Sequence, residues 1–242
     1  MSLRNIRGAL VMPVAMAWAF GFMAAFLTLS LVPPFFQAGR GPLPRLWAKG
    51  VMWIYGIKAE IRGEKYGSRP GPKIVVFNHV STFDVIVLAL IWHKNATIVY
   101  KEDFHRIPIM GALMQRMGFI PIKRKKRDQA LNSLTKAANA LKGNDLTLFI
   151  SPEGTRSGDG KLRHFKKGPF HLALATKAPL VPLVLTGLEN VMPAGYWFAR
   201  PGKFTAEYLP PISTEHWLKK SLPEHIEEVR NTFLEKVPSA DC

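Results

Sequence analysis

The sequence predicts an α/β fold: a central, mostly parallel or mixed sheet flanked by helices, with an N-terminal membrane-associated helical hairpin. Past residue 62, short apolar runs that resemble strands alternate with helical patterns, and such alternation is typical of an α/β domain. Before it, no residue from position 8 to position 39 is charged. We therefore divide the chain into an N-terminal membrane-associated segment, residues 1–62, and a globular domain, residues 63–242.

The first element is a long apolar helix. Residues 9–31 are rich in Ala, Leu, Phe, Met and Trp and exceed the roughly 20 residues that cross a bilayer as a helix. Pro33-Pro34 then stops it, because proline cannot continue a helix. A cleaved signal peptide is the alternative, with Arg4 and Arg7 before the apolar core, but apolar sequence continues far beyond the small-residue site at 15–17. We expect an uncleaved membrane segment.

Basic residues lie on both sides of this segment, which favours a hairpin. Two arginines precede it, and Arg40, Arg45 and Lys49 follow it. A single span cannot place both groups on the inner side, where positive residues accumulate. A re-entrant or interfacial hairpin can, with a second helix that includes residues 47–55. We expect a membrane protein, on the cytoplasmic face of the inner membrane if the source is bacterial.

Five apolar runs then predict the strands of the sheet. A clear helix separates the third from the fourth, since apolar residues recur at helical spacing over 130–141 and Gly143 ends the pattern. A further strand is expected at 205–209, and a surface helix covering the sheet at 215–236. The five runs are residues 74–77, 96–100, 119–122, 146–150 and 180–185.

Composition limits the class of partner. A net charge of +16 with 48% hydrophobic residues suits a protein that works at an anionic lipid surface. The charge alone would also suit nucleic acid, but there is no zinc-ligand spacing, RNA-binding aromatic motif or basic helix with a zipper, so we expect no nucleic-acid partner. The length of 242 residues allows one substantial core. Cys242 is the only cysteine, which excludes an internal disulfide framework and indicates a reducing compartment.

A histidine and a carboxylate lie at a predicted strand-to-helix turn. His79 follows the run at 74–77, and Asp84 comes five positions later, before the apolar run at 85–92. Residues five apart on a helix lie about 140° apart, so His79 has to be outside it. Ser81 as N-cap with Asp84 at N3 would turn the carboxylate back. Asp84 could then hold the imidazole as a general base; the alternative is a simple cap and a loop histidine.

A second turn follows the strand predicted at 146–150. Pro152 and Gly154 suit positions i+1 and i+3 of a type I turn, which places Glu153 and Arg156 near the end of that strand. Ligands bind at this end in α/β sheets, and Arg156 offers a fork of donors for a phosphate or carboxylate. Glu153 would either contact substrate or orient Arg156. The alternative for the turn as a whole is a solvated loop with a surface ion pair.

Four ordered motifs between positions 74 and 186 resemble those of the glycerolipid acyltransferase family, which includes the lysophosphatidate acyltransferases. The first is a His and an Asp with four residues between them, here His79 and Asp84. The second is Gly-x-x-x-Ile-x-Arg, here residues 118–124. The third is the Pro-Glu-Gly-Thr-Arg turn at residues 152–156, and the fourth is an apolar-Pro-apolar strand at residues 180–184.

The resemblance implies that residues 63–242 are an acyltransferase catalytic domain. Such a domain would move a fatty acyl group from acyl-CoA or acyl-carrier protein to the sn-2 hydroxyl of lysophosphatidate, making phosphatidate in phospholipid biosynthesis. His79 would be the catalytic base and Asp84 its orienting partner, and neither a cofactor nor a metal is implied. The residues assigned to substrate binding are Lys101, Arg124, Glu153, Gly154, Thr155 and Arg156.

Two alternatives to this function stay open. An acyltransferase with another lysolipid acceptor fits the same motifs, and Ser151, where the family more often has Phe, puts the shape of the substrate pocket in doubt. A noncatalytic protein that binds anionic membranes would use the basic and apolar surfaces alone. The basic residues at 123–127 and 161–167 fit a substrate phosphate, a carrier protein or a membrane surface.

Overall fold

The computed structural model describes residues 2–122, 127–142 and 144–240 of the chain. Within these residues the chain forms a seven-stranded mixed sheet flanked by helices, with a helical hairpin at the N-terminus, which confirms the predicted fold class. Of the positions that the sequence analysis singles out, residues 123–126, which include Arg124, and also Gly143 and Cys242 lie outside the described residues.

The N-terminal hairpin consists of α1 (Leu3–Leu29), a short α2 (Pro33–Gly39) and α3 (Pro42–Tyr55). α1 and α3 pack against each other, and the Trp18 indole N–H donates to the Trp47 carbonyl at 3.1 Å. Among the described helices, α1 is the one long and apolar enough to cross a membrane, and only 11% of its most apolar window is buried. The hairpin is confirmed as a fold element, whereas its membrane association stays a prediction.

The start of α1 is tied to a loop far along the chain. The Arg4 guanidinium donates to the carbonyl of Pro201 at 2.5 Å. At Gly8, a Cβ would lie 2.4 Å from the carbonyl oxygen of Ala199, so the two backbones approach too closely for a larger residue. α1 therefore lies against the globular part of the chain along this contact.

Strand order in the sheet is β1-β7-β6-β2-β5-β3-β4. β1 and β7 run parallel to each other and antiparallel to the other five, because β7 pairs with β6 in the antiparallel sense. The six predicted strands are confirmed to within three residues at each end. β1 is not among them, although Ile57, Ala59 and Ile61 alternate with charged residues. The strands are β1 (Ile57–Arg62), β2 (Lys73–Phe77), β3 (Ala96–Lys101), β4 (Ile120–Ile122), β5 (Thr147–Ile150), β6 (Leu180–Thr186) and β7 (Gly202–Tyr208).

Helices cover both faces of the sheet. Alternate residues of β2 point to opposite sides, so Val75 joins the apolar cluster under α3 and α5, and Val76 joins the cluster under α8 and α10. The helix predicted at 130–141 is confirmed as α7. The remaining helices are α4 (Glu64–Gly67), α5 (Asp84–Leu90), α6 (Met110–Arg116), α7 (Arg127–Leu141), α8 (Gly168–Thr176), α9 (Leu188–Val191) and α10 (Leu222–Leu234), with a 3₁₀ turn at Glu102–Arg106.

The predicted helix at 215–236 is wrong in its first half. α10 begins only at Leu222, with Pro223 in its first turn, where a missing N–H is tolerated. The residues before it form turns that bury Trp217, whose side chain is 1% exposed. Burial of this indole against the core therefore overrides the helical pattern that its sequence neighbourhood suggests.

Asn78 joins two strands at the edge where the parallel strands end. Its side-chain N–H donates to the Leu185 carbonyl at 2.8 Å, and the Leu185 N–H donates to its side-chain oxygen at 2.7 Å. Asn78 follows β2 directly, and Leu185 lies in β6. The Asn78 side chain therefore continues the hydrogen bonding between these two strands beyond the end of β2. It holds the beginning of the loop that carries the next residue, His79.

Replacing Asn78 with Ala should lower the free energy of unfolding by about 2–4 kcal/mol, because two buried backbone groups of Leu185 lose their partners. Urea denaturation of the full chain in detergent measures this. Asn190→Ala, at an exposed position, is the matched control and should change stability by less than about 0.5 kcal/mol. Equal stability of the two variants would contradict the role given to Asn78.

Candidate active site

The imidazole of His79 is held by a buried carboxylate. Its Nδ1 lies 2.5 Å from Oδ2 of Asp84, whose residue is 1% exposed. Burial raises the pKa of Asp84, while the hydrogen bond to His79 and the N–H groups of Ser81 and Val80 oppose that rise. Because Nδ1 is committed to Asp84, Nε2 is the ring nitrogen left to accept a proton. The His79 side chain is 22% exposed, so a substrate can reach it.

The helix start that orients Asp84 differs in part from the predicted capping box. The Asp84 carboxylate accepts the Ser81 N–H at 3.1 Å, as predicted. The Ser81 hydroxyl, however, accepts the N–H of Phe83 at 2.9 Å, and α5 begins at Asp84 with Phe83 as its cap residue. A hydroxyl can bond a backbone N–H two residues on in a local turn, and here that turn precedes the helix. Asp84 is therefore placed in the first turn and reaches back.

Glu153 supports the backbone of His79. One of its carboxylate oxygens accepts the His79 N–H at 2.7 Å, and the other accepts the Arg163 N–H at 2.9 Å. The residue is 3% exposed, and burial raises its pKa to about 7 although both N–H bonds oppose that rise. Both oxygens bond backbone groups, so the described hydrogen bonds give Glu153 no contact with Arg156.

The segment after β5 is hydrogen-bonded to the loop after β2. The N–H groups of Ser157 and Gly158 donate to the carbonyls of His79 and Val80 at 2.7 and 2.9 Å. Gly154 has a φ of +69°, which side-chain-bearing residues rarely adopt. The chain bends over residues 152–155, while the type I geometry stays a prediction, and the bonds from Ser157 and Gly158 bring the two motifs together.

Arg156 lies beside the His79 turn. Its guanidinium donates to the Thr82 hydroxyl, and the residue is exposed, as is Thr155. Lys101 ends β3, two strands away from β2, at roughly 10 Å by the usual strand spacing. It forms an ion pair with Asp103. Arg124, predicted to contact phosphate, lies outside the described residues.

The basic residues after the turn have different surroundings. The Arg163 guanidinium pairs with Asp159 at 2.8 Å. Lys166 instead lies over the turn, because its ammonium nitrogen would be 2.8 Å from a Cβ built at Gly154. The sequence alone does not distinguish the surroundings of Arg163 from those of Lys166. It also does not identify Asn78 or Thr82, because the contacts of these two residues join segments about 75 or more positions apart.

Within the described residues, no group of three or more His, Cys, Asp or Glu side chains is arranged to hold a metal ion. The buried hydroxyl of Ser151, at the end of β5, has no hydrogen-bond partner there. Ser151 is also the position at which the family motif more often has Phe.

Comparison with known proteins gives consistent results. The family model described as Acyltransferase matches residues 58–186. A 1-acyl-sn-glycerol-3-phosphate acyltransferase of Limnanthes alba is 31% identical over 233 residues, covering 96% of this chain and 80% of the relative. One of the same name from Saccharomyces cerevisiae is 33% identical over 184 residues, covering 75% and 60%.

A solved structure shares the fold. The crystal structure titled 1-acyl-sn-glycerophosphate (LPA) acyltransferase, PlsC, from Thermotoga maritima is similar with a TM-score of 0.77 at 20% sequence identity. The similarity covers 96% of this chain and 97% of the other. At this identity it supports the arrangement of the sheet and the hairpin rather than the chemistry of individual side chains.

The raised pKa of Glu153 predicts a pH-dependent stability. Between its ordinary pKa of 4.5 and about 7, the folded protein keeps a proton that the unfolded chain has released. The protonated carboxyl therefore contributes about 3 kcal/mol to the free energy of unfolding. This contribution is fully present below pH 4.5 and is lost as the pH rises through 7. In Glu153→Gln the contribution is absent, so the wild-type unfolding free energy minus that of the variant should fall over this range. Urea denaturation at several pH values measures the difference.

The titration of His93 does not obscure this comparison. Burial lowers the pKa of His93 to about 4. Its contribution to the free energy of unfolding is present above pH 6.5 and is lost on acidification. Because the wild type and the variant share it, it cancels in their difference. Glu215→Gln, at an exposed position, is the control and should give a flat difference. A flat difference for Glu153→Gln as well would show that Glu153 is ionised in the folded protein with an ordinary pKa.

Proposed function

Because this chain belongs to the acyltransferase family, we propose that it transfers a fatty acyl group from an acyl thioester to the sn-2 hydroxyl of lysophosphatidate, giving phosphatidate. The acceptor is inferred from relatives that carry the name 1-acyl-sn-glycerol-3-phosphate acyltransferase. The single observation that carries the chemistry is the contact between His79 and the buried carboxylate of Asp84.

Nε2 of His79 accepts the proton of the acceptor hydroxyl as its oxygen attacks the thioester carbonyl. The carbon–oxygen bond forms, the carbon–sulfur bond breaks, and the imidazolium returns the proton to the departing thiolate. Asp84 keeps the ring in the required tautomer and stabilises its positive charge. Transfer is direct, because Ser81, the hydroxyl nearest in sequence, is 4% exposed and its oxygen accepts the Phe83 N–H.

The glycerol phosphate is held by the basic residues around the His79 turn. Arg156, exposed and next to Thr82, offers two parallel donors to a phosphate, and Gly154 and Thr155 add the turn beside it. Lys101 approaches from the end of β3, and Arg124 completes the set. Binding at a fixed distance from His79 lowers the barrier by proximity.

We assign Glu153 a positioning role. Its carboxylate is buried and bonds the N–H of His79, so it acts on the reaction through the placement of that residue. In this proposal Gly154, Thr155 and Arg156 contact the substrate, whereas Glu153 does not.

The site works at a membrane surface. Residues 1–62 form the membrane-associated segment, in which the exposed apolar side of α1 contacts lipid, and residues 63–242 form the catalytic domain. Lysophosphatidate reaches the site from that surface. The acyl donor is acyl-CoA or acyl-carrier protein, and the location is the cytoplasmic face of the inner membrane if the source is bacterial.

The proposal is tested by acyl transfer to lysophosphatidate in detergent, with a long-chain acyl-CoA and an acyl-carrier protein as separate donors. His79→Ala should lower kcat about 10²–10⁴-fold, because the general base is removed. His171→Ala is the control: this histidine is exposed on α8, away from the motifs, and its loss should leave kcat within twofold. Equal activity of wild type and His79→Ala would exclude His79 as the base.

Arg156→Gln should raise the KM for lysophosphatidate about 10–100-fold with a smaller change in kcat, because a charged phosphate loses its charge-assisted donors. Arg156→Lys should recover part of the loss, since it keeps the charge without the planar fork. Arg69→Gln, at an exposed residue, is the charge-matched control and should leave KM unchanged. An unchanged KM in Arg156→Gln would place the acceptor phosphate elsewhere.

A further inference from the structure

A cleft lies near the turn of the N-terminal hairpin, remote from His79. Its volume is about 630 Å³, within the range of small-molecule sites. α3 contributes Arg45, Leu46 and Lys49 to its wall, and the loop after α5 contributes His93 and Lys94.

The helix α5 separates this cleft from the proposed reaction site. Asp84, which holds His79, is the first residue of α5, whereas Nε of Arg45 donates to the carbonyl of Trp92, beyond its last residue. The seven residues of α5 span about 10 Å. A ligand in the cleft therefore does not occupy the place of the reacting acceptor.

The charge of the cleft is positive and unbalanced. Arg45, Lys49 and Lys94 all line it, none of its lining residues is acidic, and no ion pair within the described residues involves these three. His93 adds no charge at neutral pH, because burial and the nearby cations lower its pKa to about 4.

The hydrogen-bond partners of Asp145 lie outside the lining of the cleft. Asp145, which acts on His93 electrostatically, accepts the N–H of Gly71 at 2.8 Å and the side-chain amide of Asn95 at 3.3 Å. It is not among the lining residues of the cleft. Three cations brought together without a carboxylate favour a bound anion.

The apolar surroundings indicate which kind of anion. Leu46, in the wall of the cleft, is 51% exposed, and on the neighbouring hairpin turn Leu31 is 71% and Phe35 61% exposed. An anion that brings acyl chains would cover these side chains, whereas a free phosphate would leave them in water. We propose that this cleft binds the phosphate group of an anionic membrane phospholipid, as a second lipid site separate from the one at which the acceptor reacts.

The test uses the full chain in a non-ionic detergent and titrates it calorimetrically with dihexanoylphosphatidylglycerol. This probe is a phosphodiester with both glycerol hydroxyls acylated, so it is neither acceptor nor product of the proposed reaction. Lys49→Gln/Lys94→Gln should weaken binding about tenfold or more. Neither lysine side chain has a hydrogen bond among the described residues, which favours retention of the fold. Arg45→Gln is a second variant, expected to weaken binding similarly.

The matched control is Lys219→Gln/Lys220→Gln, which removes the same charge from two exposed lysines ahead of α10. It should leave binding within twofold. Equal weakening in the two double variants would overturn the proposal, because attraction by net charge would then explain the binding. Unchanged binding in Lys49→Gln/Lys94→Gln would overturn it as well.

A titration with inorganic phosphate distinguishes a phospholipid ligand from free phosphate. Weak or absent binding supports a lipid ligand. Binding as tight as that of the phospholipid, and lost in Lys49→Gln/Lys94→Gln, would replace the lipid with a free phosphate. The outcome is independent of the proposed catalysis: Arg156→Gln should leave phosphatidylglycerol binding intact, and Lys49→Gln/Lys94→Gln should keep wild-type acyl transfer in neutral micelles.

Discussion

One buried carboxylate, that of Glu153, holds together the two loops from which the candidate site is built. It accepts an N–H group from His79 after β2 and another from Arg163 after β5. If the loops separated, the His79 N–H and one oxygen of Glu153 would lose their partners, which costs more than an exposed hydrogen bond is worth. The two loops carry the contact of His79 with Asp84 and that of Arg156 with Thr82, and the backbone bonds from Ser157 and Gly158 join them as well.

The sequence could predict contacts between residues that are close along the chain. Asp84 reaches Ser81 and His79 within six consecutive residues, so the spacing of the motif is enough to place the carboxylate beside the ring. The Glu153 contact joins residues 74 positions apart, and no periodicity reports it. β1 is missed for a related reason: its partner β7 lies about 145 residues later, and the apolar hairpin just before it dominates the local pattern.

The similarity to the Thermotoga maritima structure concerns the fold and not the individual side chains. At 20% identity the fold extends over 96% of this chain, hairpin included. Most individual side chains therefore differ while the layers remain, which is expected when apolar periodicity and strand direction decide the architecture. In this chain the buried amide of Asn78 is more restricted in residue type than its apolar neighbours, because its two bonds to Leu185 need both a donor and an acceptor.

The tie between Arg4 and Pro201 has a consequence for synthesis on the ribosome. α1 leaves the ribosome first, but the loop that it packs against follows about 195 residues later. At 5–20 residues per second this interval is roughly 10–40 s. During that interval α1 lacks its contact with the loop at Ala199–Pro201, and the parts of its own chain that it can pack against are those made earlier, α3 first and α6 later. The order of assembly is therefore hairpin first and loop second, with the segment around Pro201 closing onto a helix that already packs on α3.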